Sequence, residues 1–436
     1  LSLLACSLLF FKVGGQDFSL QADGYDSHVE LRWDAPAGSQ PNSYHILSST
    51  DGNQFFSLNT VSSKLFLDFT GFAGDSPDTY FYFVEALNGA GAVIGISDTV
   101  AAVVQKLSDE DLLDMVQRYT FRYFWDFAHP VSGMARERNT SGDIVTSGGT
   151  GFGIMAILVG VERGYISREE GLNHLLKIAT FLQMADKFHG VFPHWMNGVT
   201  GDVFPFSQFD NGGDLVETAF LMQGLLCARQ YFDENDPLEE ALRLTITSLW
   251  ESVDWNFYRK NNSPVLYWHW SPNFGWQINF QLRGFNEAMI VYILAIASPT
   301  HPVPASLWNT GWTAQGYANG NTWYGYKLDV GPPLGGPLFF AHYSFLGFDP
   351  RNKKDQFTNY FLRNRNHTLV NRAYCIDNPG NHEHYSEVCW GLTASDDPFG
   401  YLAHEAIFAK DNGTITPTAA LSSMPYTPAE SLAALK

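Results

Sequence analysis

The chain has 436 residues, enough to bury a large core and to fold as two or three domains. A formal charge of -19, from 26 basic residues against 45 acidic ones, leaves no basic footprint for nucleic acid or an anionic membrane surface. Aromatic residues make up 15% of it, and Trp and Tyr crowd into loop-like stretches, which suits flat, polar, uncharged ligands.

The opening run Leu1 to Phe11 has the length of the apolar part of a signal peptide and is too short to span a bilayer. Residues 1–16 are expected to be an incomplete export signal cut after Val13-Gly14-Gly15, with Leu3-Leu4-Ala5-Cys6 as a weak lipobox-like alternative. A periplasmic or cell-surface location follows, lipid-anchored if Cys6 is the acceptor, with no transmembrane segment. From 17 to 104 the pattern alternates with period two between turn residues: HVELRWD, SYHILSS, NQFFSLN, KLFLDF and TYFYFVEAL, with turns at Asp51-Gly52 and Asn88-Gly89. Such spacing predicts a small β-sandwich. Trp33 on an early strand and Tyr80 or Tyr82 on a late one resemble a fibronectin type III domain, a type that mostly acts as a spacer or docking surface.

At Leu107 the period becomes helical, with Ser108 as N-cap. Helices are expected over 109–128, 151–163, 168–186, 212–232, 237–253, 284–298, 304–312, 336–348, 353–375 and 386–394, and from 428 onward. Their connections alternate short and long. Short turns make antiparallel pairs, and pairs whose long loops open at one end describe an (α/α) toroid over residues 105–436, with inner helices starting at one rim. The long loops carry Arg136, Trp195, Phe209, Trp268 and Trp276 beside those starts, a density that suits the apolar faces of pyranose rings.

The stretch FDNGGDLVETAFLMQ, Phe209 to Gln223, is expected to be helical from about Gly212 with Asp210 as N-cap. Asp210, Asp214 and Glu217 then share one face. No Lys or Arg lies between Lys187 and Arg229. Mutual repulsion should push at least one of these carboxyls upward, giving a proton donor beside a base. In isolation, an N-cap Asp with two first-turn acids would look the same. Glu287 in GFNEAM falls in the first turn of the next inner helix. Acids paired across an aromatic cleft are the equipment of glycoside hydrolysis. No GxSxG, P-loop, HExxH or zinc spacing competes, and GGTGFG after Ser147 lacks the buried strand of a nucleotide loop. His342, with the other scattered histidines, suits hydrogen bonding to sugar, and Asp396-Asp397 is either a further cleft pair or a turn. Cys375 and Cys389 are a weak candidate for a disulfide.

Seven motifs follow one another: TFRYFWDFAHPVSGMARERN, TGFGIMA, DNGGDLVETAFLMQGLL, GFNEAM, PLFFAHYSFLGFDPR, CWGLTASD and NGTITPTAALSSMPYTPAESLAAL. In these, residues from Leu107 onward resemble the glucoamylase-like domain of glycoside hydrolase family 144, bacterial enzymes that degrade β-1,2-glucan. The resemblance implies an (α/α)6 toroid that hydrolyses β-1,2-glucan with inversion and with no metal or cofactor; the expected partner is a β-linked glucan or glucooligosaccharide, and a monomer is expected. It implies that Asp210, Asp214 and Glu217 are needed for activity and that Glu287 is the general acid. Arg136, Trp195, Phe209, Trp268, Trp276, His342 and Asp396 are expected substrate contacts. Six pairs need twelve helices, and this pattern ends within the eleventh. The chain is therefore expected to be clipped, with the base beyond residue 436 and Asp210 or Asp214 as second choice. A non-catalytic glycan-binding protein, a transglycosylase and a lyase are the alternatives, the lyase disfavoured by an acidic cleft.

Overall fold

Between residues 20 and 104 the alternating pattern forms eight strands. They are β1 (Leu20–Gly24), β2 (His28–Trp33), β3 (Ser43–Ser49), β4 (Phe56–Val61), β5 (Leu65–Phe69), β6 (Asp78–Leu87), β7 (Val93–Ile96) and β8 (Val100–Val104). The structure, a computed structural model, describes residues 18–314 and 316–436. The expected export signal, with Cys6, lies outside the described residues. One antiparallel sheet has the order β1-β2-β5; the other runs β4-β3-β6-β7, with β8 also paired to β6. Alternate side chains of both, among them Leu31, Trp33, Tyr44, Ile46 and Val84, meet in one core. The Tyr82 hydroxyl donates across it to Asp68 Oδ2 at 2.8 Å.

Two compact units comprise residues 1–115 and 116–436, the division falling inside α1 (Asp109–Asp126). The second unit holds α2 (Ser147–Glu162), α3 (Arg168–Met184), α4 (Leu215–Tyr231), α5 (Pro237–Ser252), α6 (Met289–Ala297), α7 (Tyr360–Asp377), α8 (Pro417–Ser422) and α9 (Pro428–Leu435). The sequence separates two kinds of helix. α2, α4 and α6 are apolar nearly all round and lie side by side, whereas α3 and α5 each bury one stripe, against each other and against α2 and α4 respectively. The outer helices start on strong signals. Ser167 and Glu170 form a reciprocal capping box at α3, and Asp236 caps α5 ahead of Pro237.

The α2–α4 crossing depends on glycine. A Cβ on Gly151 would sit 2.1 Å from Phe220 O, and one on Gly224 would sit 2.4 Å from Gly151 O. These backbones therefore touch directly. Gly151→Ala is expected to destabilise the protein by about 1–3 kcal/mol, read as a lower urea midpoint. An unchanged midpoint would mean that the two helices part without loss.

The loops are more structured than the sequence suggests. β9 (Ile144–Thr146), β10 (Trp195–Asn197) and β11 (Val203–Phe204) form one small sheet. Two-stranded ribbons join β12 (Gly213–Asp214) to β14 (His269–Trp270) and β13 (Leu266–Tyr267) to β15 (Gln281–Leu282). Two more join β16 (Ala318–Trp323) to β17 (Tyr326–Val330) and β18 (Ala394–Asp397) to β19 (Gly400–Ala403).

Several expected helices shrink. The one at 284–298 is only α6, because Gly284 has φ +80° and cannot continue a helix as an L residue would. That at 304–312 is a π-helical turn, Trp308–Trp312, and 336–348 is two 3-10 turns entered through Gly335 and Gly336, both at positive φ. That at 353–375 begins late, at Tyr360, and 386–394 has no helix among its residues, while α8 was not expected. Cys375 and Cys389 are free thiols, so the expected disulfide candidate does not form. No described helix is long and apolar enough to cross a membrane.

Candidate active site

The acids are assembled by a ribbon rather than by one helix face. Gly213 and Asp214 pair with Trp270 and His269. The backbone there is tight, since a Cβ on Gly212 would lie 2.2 Å from Trp270 O and one on Gly213 1.9 Å from the Tyr258 hydroxyl. Helix α4 therefore starts at Leu215, and its N-cap is Asp214 instead of the expected Asp210. Asp214 Oδ1 accepts from the N–H groups of Val216 (3.0 Å) and Glu217 (2.9 Å), and from Trp268 Nε1 (2.8 Å). Its Oδ2 faces His194 Nδ1 at 3.1 Å and His269 Nε2 at 3.5 Å. Asp210, in the loop before the ribbon, lies 3.4 Å from His269 Nε2.

Electrostatics divides the carboxyls into two classes. Burial opposes the charge on Asp214, but the hydrogen bonds and charges of His194 and His269 outweigh it and hold this fully buried acid far below the usual range. His194 rises to about 9 because Asp214, Glu217 and Asp210 overcome the burial that opposes its charge. Asp210 is raised to about 6 by burial and then by Asp214. Glu217 reaches about 7, pushed up first by burial and then by Asp214 and Glu287, with the His194 charge and the Gly148 hydrogen bond pulling down. Glu287 also reaches about 7, through burial and the Asp214 charge. One locked anion thus stands beside two half-buried acids that titrate near neutrality.

Position follows from local packing. Glu217, in the first turn of α4, points at the start of α2, where the Gly148 N–H donates to its Oε2 at 3.1 Å. A Cβ at position 148 would lie 2.0 Å from that oxygen, which accounts for one of the glycines after Ser147. Glu287 precedes α6 by two residues instead of lying in its first turn. Its carbonyl accepts from Ser344 Oγ, whose oxygen accepts the Ile290 N–H at 3.0 Å. Phe285, two residues earlier, is clamped by the Arg363 guanidinium, 3.9 Å from its ring centre, and by Tyr360. The two glutamates meet electrostatically: Glu287 raises Glu217, and both raise the phenols of Tyr343 and Tyr401, on which burial acts most. An open cavity of 1210 Å³ is lined by Glu217, Arg136, Glu137, Gly148, His342 and Tyr343, among others.

The remaining sequence-predicted residues divide unevenly. Arg136 lines the cavity, with Nε bonded to Gly142 O and one Nη to Phe127 O. His342, also lining it, bonds Ser423 Oγ at 3.1 Å and is lowered to about 4 by burial. Trp268 serves Asp214, and Trp276 packs among Phe257, Tyr258 and Tyr267, so neither lines the cavity as expected of substrate contacts. Trp195 packs on Phe206, and Phe209 meets Phe274 edge-on; neither lines the cavity. Asp396 is ion-paired to Arg138. His269, Tyr343 and Tyr401 were not singled out from the sequence. Only the alternation YWHW around His269 was available as a signal, and it does not say which strand it pairs with.

His194, Asp210 and Asp214 offer ligand atoms within 4.8 Å of one another, a spacing that a cation could bridge. His194 Nδ1 carries its proton toward Asp214, and a metal would have to displace it.

Stability should report the two glutamates. A carboxyl raised to about 7 contributes stability fully present below its unfolded value near 4.5 and lost as pH rises through 7. Glu217→Gln cannot ionise and escapes that loss. Its melting temperature is expected to match the parent's at pH 5 and to exceed it by several degrees at pH 8, on the order of 2 kcal/mol. A difference independent of pH would show that Glu217 is not buried as an acid.

The chain is similar to proteins of known activity. Residues 279–436 match the family described as putative glucoamylase. The chain is 44% identical over 438 residues to an exo β-1,2-glucooligosaccharide sophorohydrolase (non-reducing end) of Parabacteroides distasonis, covering 95% of this chain and 60% of that protein. It therefore spans 60% of the length of this curated relative. A crystal structure of β-1,2-glucanase from Parabacteroides distasonis is similar at a TM-score of 0.88 and 43% identity, over 99% of this chain and 64% of that one. An endo-β-1,2-glucanase from Chitinophaga pinensis, in complex with sophorotriose and glucose, is similar at a TM-score of 0.74 and 51% identity, over 76% of this chain and 82% of that one. With that much of a solved relative matched at that identity, the chain belongs to the glucoamylase-like family of glycoside hydrolase family 144.

Proposed function

We propose that this protein hydrolyses β-1,2-linked glucan or its oligosaccharides by acid/base catalysis with inversion, on an (α/α)6 toroid. The observation that carries the reading is the pair Glu217 and Glu287. Both are half-buried and held near pH 7, Glu217 is within reach of the Glu287 charge, and Glu217 opens onto the cavity. Glu287 protonates the leaving glycosidic oxygen. It stands on a fixed loop ahead of α6, and burial keeps its proton on until neutrality. Within this chain Asp210 is the base that activates water. Asp214 is committed to α4, Trp268 and two histidines, whereas Asp210 titrates at about 6 and is ionised when Glu287 is still protonated. The layering of α2, α4 and α6 inside α3 and α5 supports the toroid, and the apolar run Leu1 to Phe11 supports export to the periplasm or cell surface.

The test is product analysis on a panel of linkage-defined glucans. Release of saturated reducing oligosaccharides from β-1,2-glucan, with the α-anomer formed first, is expected. Activity on another linkage alone, retention, or unsaturated ends would overturn the corresponding part.

A further inference from the structure

The hairpin β18–β19 exposes its aromatic residues: Phe399 and Tyr401 are 88% and 69% accessible. Exposed aromatics are common and mean little singly. Tyr401 differs in its neighbours. Its phenol is raised first by burial and then by Glu287, Asp396 and Glu217, and its hairpin is tied to the loop of Glu137, which lines the same cavity as Glu217. Directly across the hairpin, its register partner is Asp396, which places both side chains on one face. Asp396 receives both terminal nitrogens of the Arg138 guanidinium, the second at 3.3 Å, from a loop 258 residues away in the chain. Arg138 Nε is held in turn by Glu137 Oε1 at 3.1 Å, and Glu137 lines the cavity. The hairpin is tied separately at both ends: at its tip Asp397 Oδ2 accepts from Asn412 Nδ2 at 2.7 Å, and near its base Thr416 donates to Ser395 at 2.8 Å. A bidentate pair between two such ties fixes a short ribbon that would otherwise swing.

We propose that Tyr401 is a substrate-contact residue, whose ring face covers the pyranose bound beside the glycosidic oxygen at Glu217 and Glu287, and that the Asp396–Arg138 pair holds it there. A pyranose offers an apolar C–H face, which an aromatic ring fixed on a ribbon matches at little entropic cost. This rests on the proposed glycosidase reading.

Calorimetric titration of the Glu287→Gln protein with a β-1,2-linked glucopentaose, and with β-1,3- and β-1,4-linked pentaoses, tests it. Adding Tyr401→Ala is expected to weaken binding at least tenfold without moving the melting temperature, while Tyr401→Phe stays within twofold. Asp396→Asn should give a smaller loss. On the active protein, Tyr401→Ala should raise KM tenfold and leave kcat within twofold. Unchanged binding in Tyr401→Ala, or equal losses in the Ala and Phe variants, overturns the ring contact alone. A parent that binds only another linkage overturns the β-1,2 assignment, and the Tyr401 variants are then read on that sugar. A parent that binds no pentaose overturns both.

Discussion

Glu287→Gln is expected to cut hydrolysis of β-1,2-glucan by about 10³-fold or more, with the fold intact, because the amide keeps the shape of the side chain and has no proton to give the leaving oxygen. Glu217→Gln should cost about 10²-fold or more, since Glu217 lines the cavity and is itself held near 7 by burial and by the charges of Asp214 and Glu287. The pH profile of kcat/KM is the sharper check. Glu287 at about 7 must be protonated, and Asp210 at about 6 must be ionised. Rate should therefore fall on the alkaline side as the acid loses its proton and on the acidic side as the base gains one, leaving an optimum between about pH 6 and 7. An activated glycoside, whose leaving group needs no proton, should recover much of the loss in Glu287→Gln and none of the loss in Asp210→Asn. Near-normal turnover by both glutamine variants would remove the assignment of these acids.

Asp214→Ala should be the most destabilising single change at the site. Three contributions go together: the N-cap of α4, the acceptor for Trp268 Nε1, and the counter-charge of two largely buried histidines. Loss of a cap costs about 1 kcal/mol, and removing one partner of a buried ion pair costs about 3–5 kcal/mol because the other is left uncompensated. The sign with pH is fixed by the histidines. His194, raised to about 9, contributes stability present below its unfolded value near 6.5 and lost as pH rises through 9; Asp214, held down, contributes above its own unfolded value and loses that on acidification. The penalty in Asp214→Ala should thus be largest between about pH 5 and 7 and shrink above about pH 9. Urea denaturation across that range measures it. A loss below about 1 kcal/mol at pH 6 would mean that water already screens the cluster. Asp214→Asn keeps the cap acceptor and should recover part of the loss while removing the counter-charge of His194 and leaving His269 only Asp210.

Much of the candidate site was visible without coordinates because it depends on local signals. The four acids, the cation-free interval around three of them, and the starts of α3 and α5 are written in adjacent residues, and the fixed spacing of DNGGDLVE keeps them close in any fold. The β-sandwich was legible for the same reason: period-two burial repeats strand after strand. The cap of α4, expected at Asp210, could not be placed in this way. The choice fell to Asp214 because Gly212 and Gly213 admit the Trp270 backbone and the Tyr258 hydroxyl, contacts made by residues more than 40 positions away.

Amino-acid order by itself determined which groups could act as acids and where the period changes from strand to helix at Leu107. Tertiary structure alone decided which acid is locked and which can titrate. That depends on burial and on the approach of His194, His269 and Glu287 from separate segments, and a carboxyl's proton affinity is set by what surrounds it in space. It also decided that Trp268 steadies an aspartate, because the ribbon beside that loop pairs His269 with Asp214.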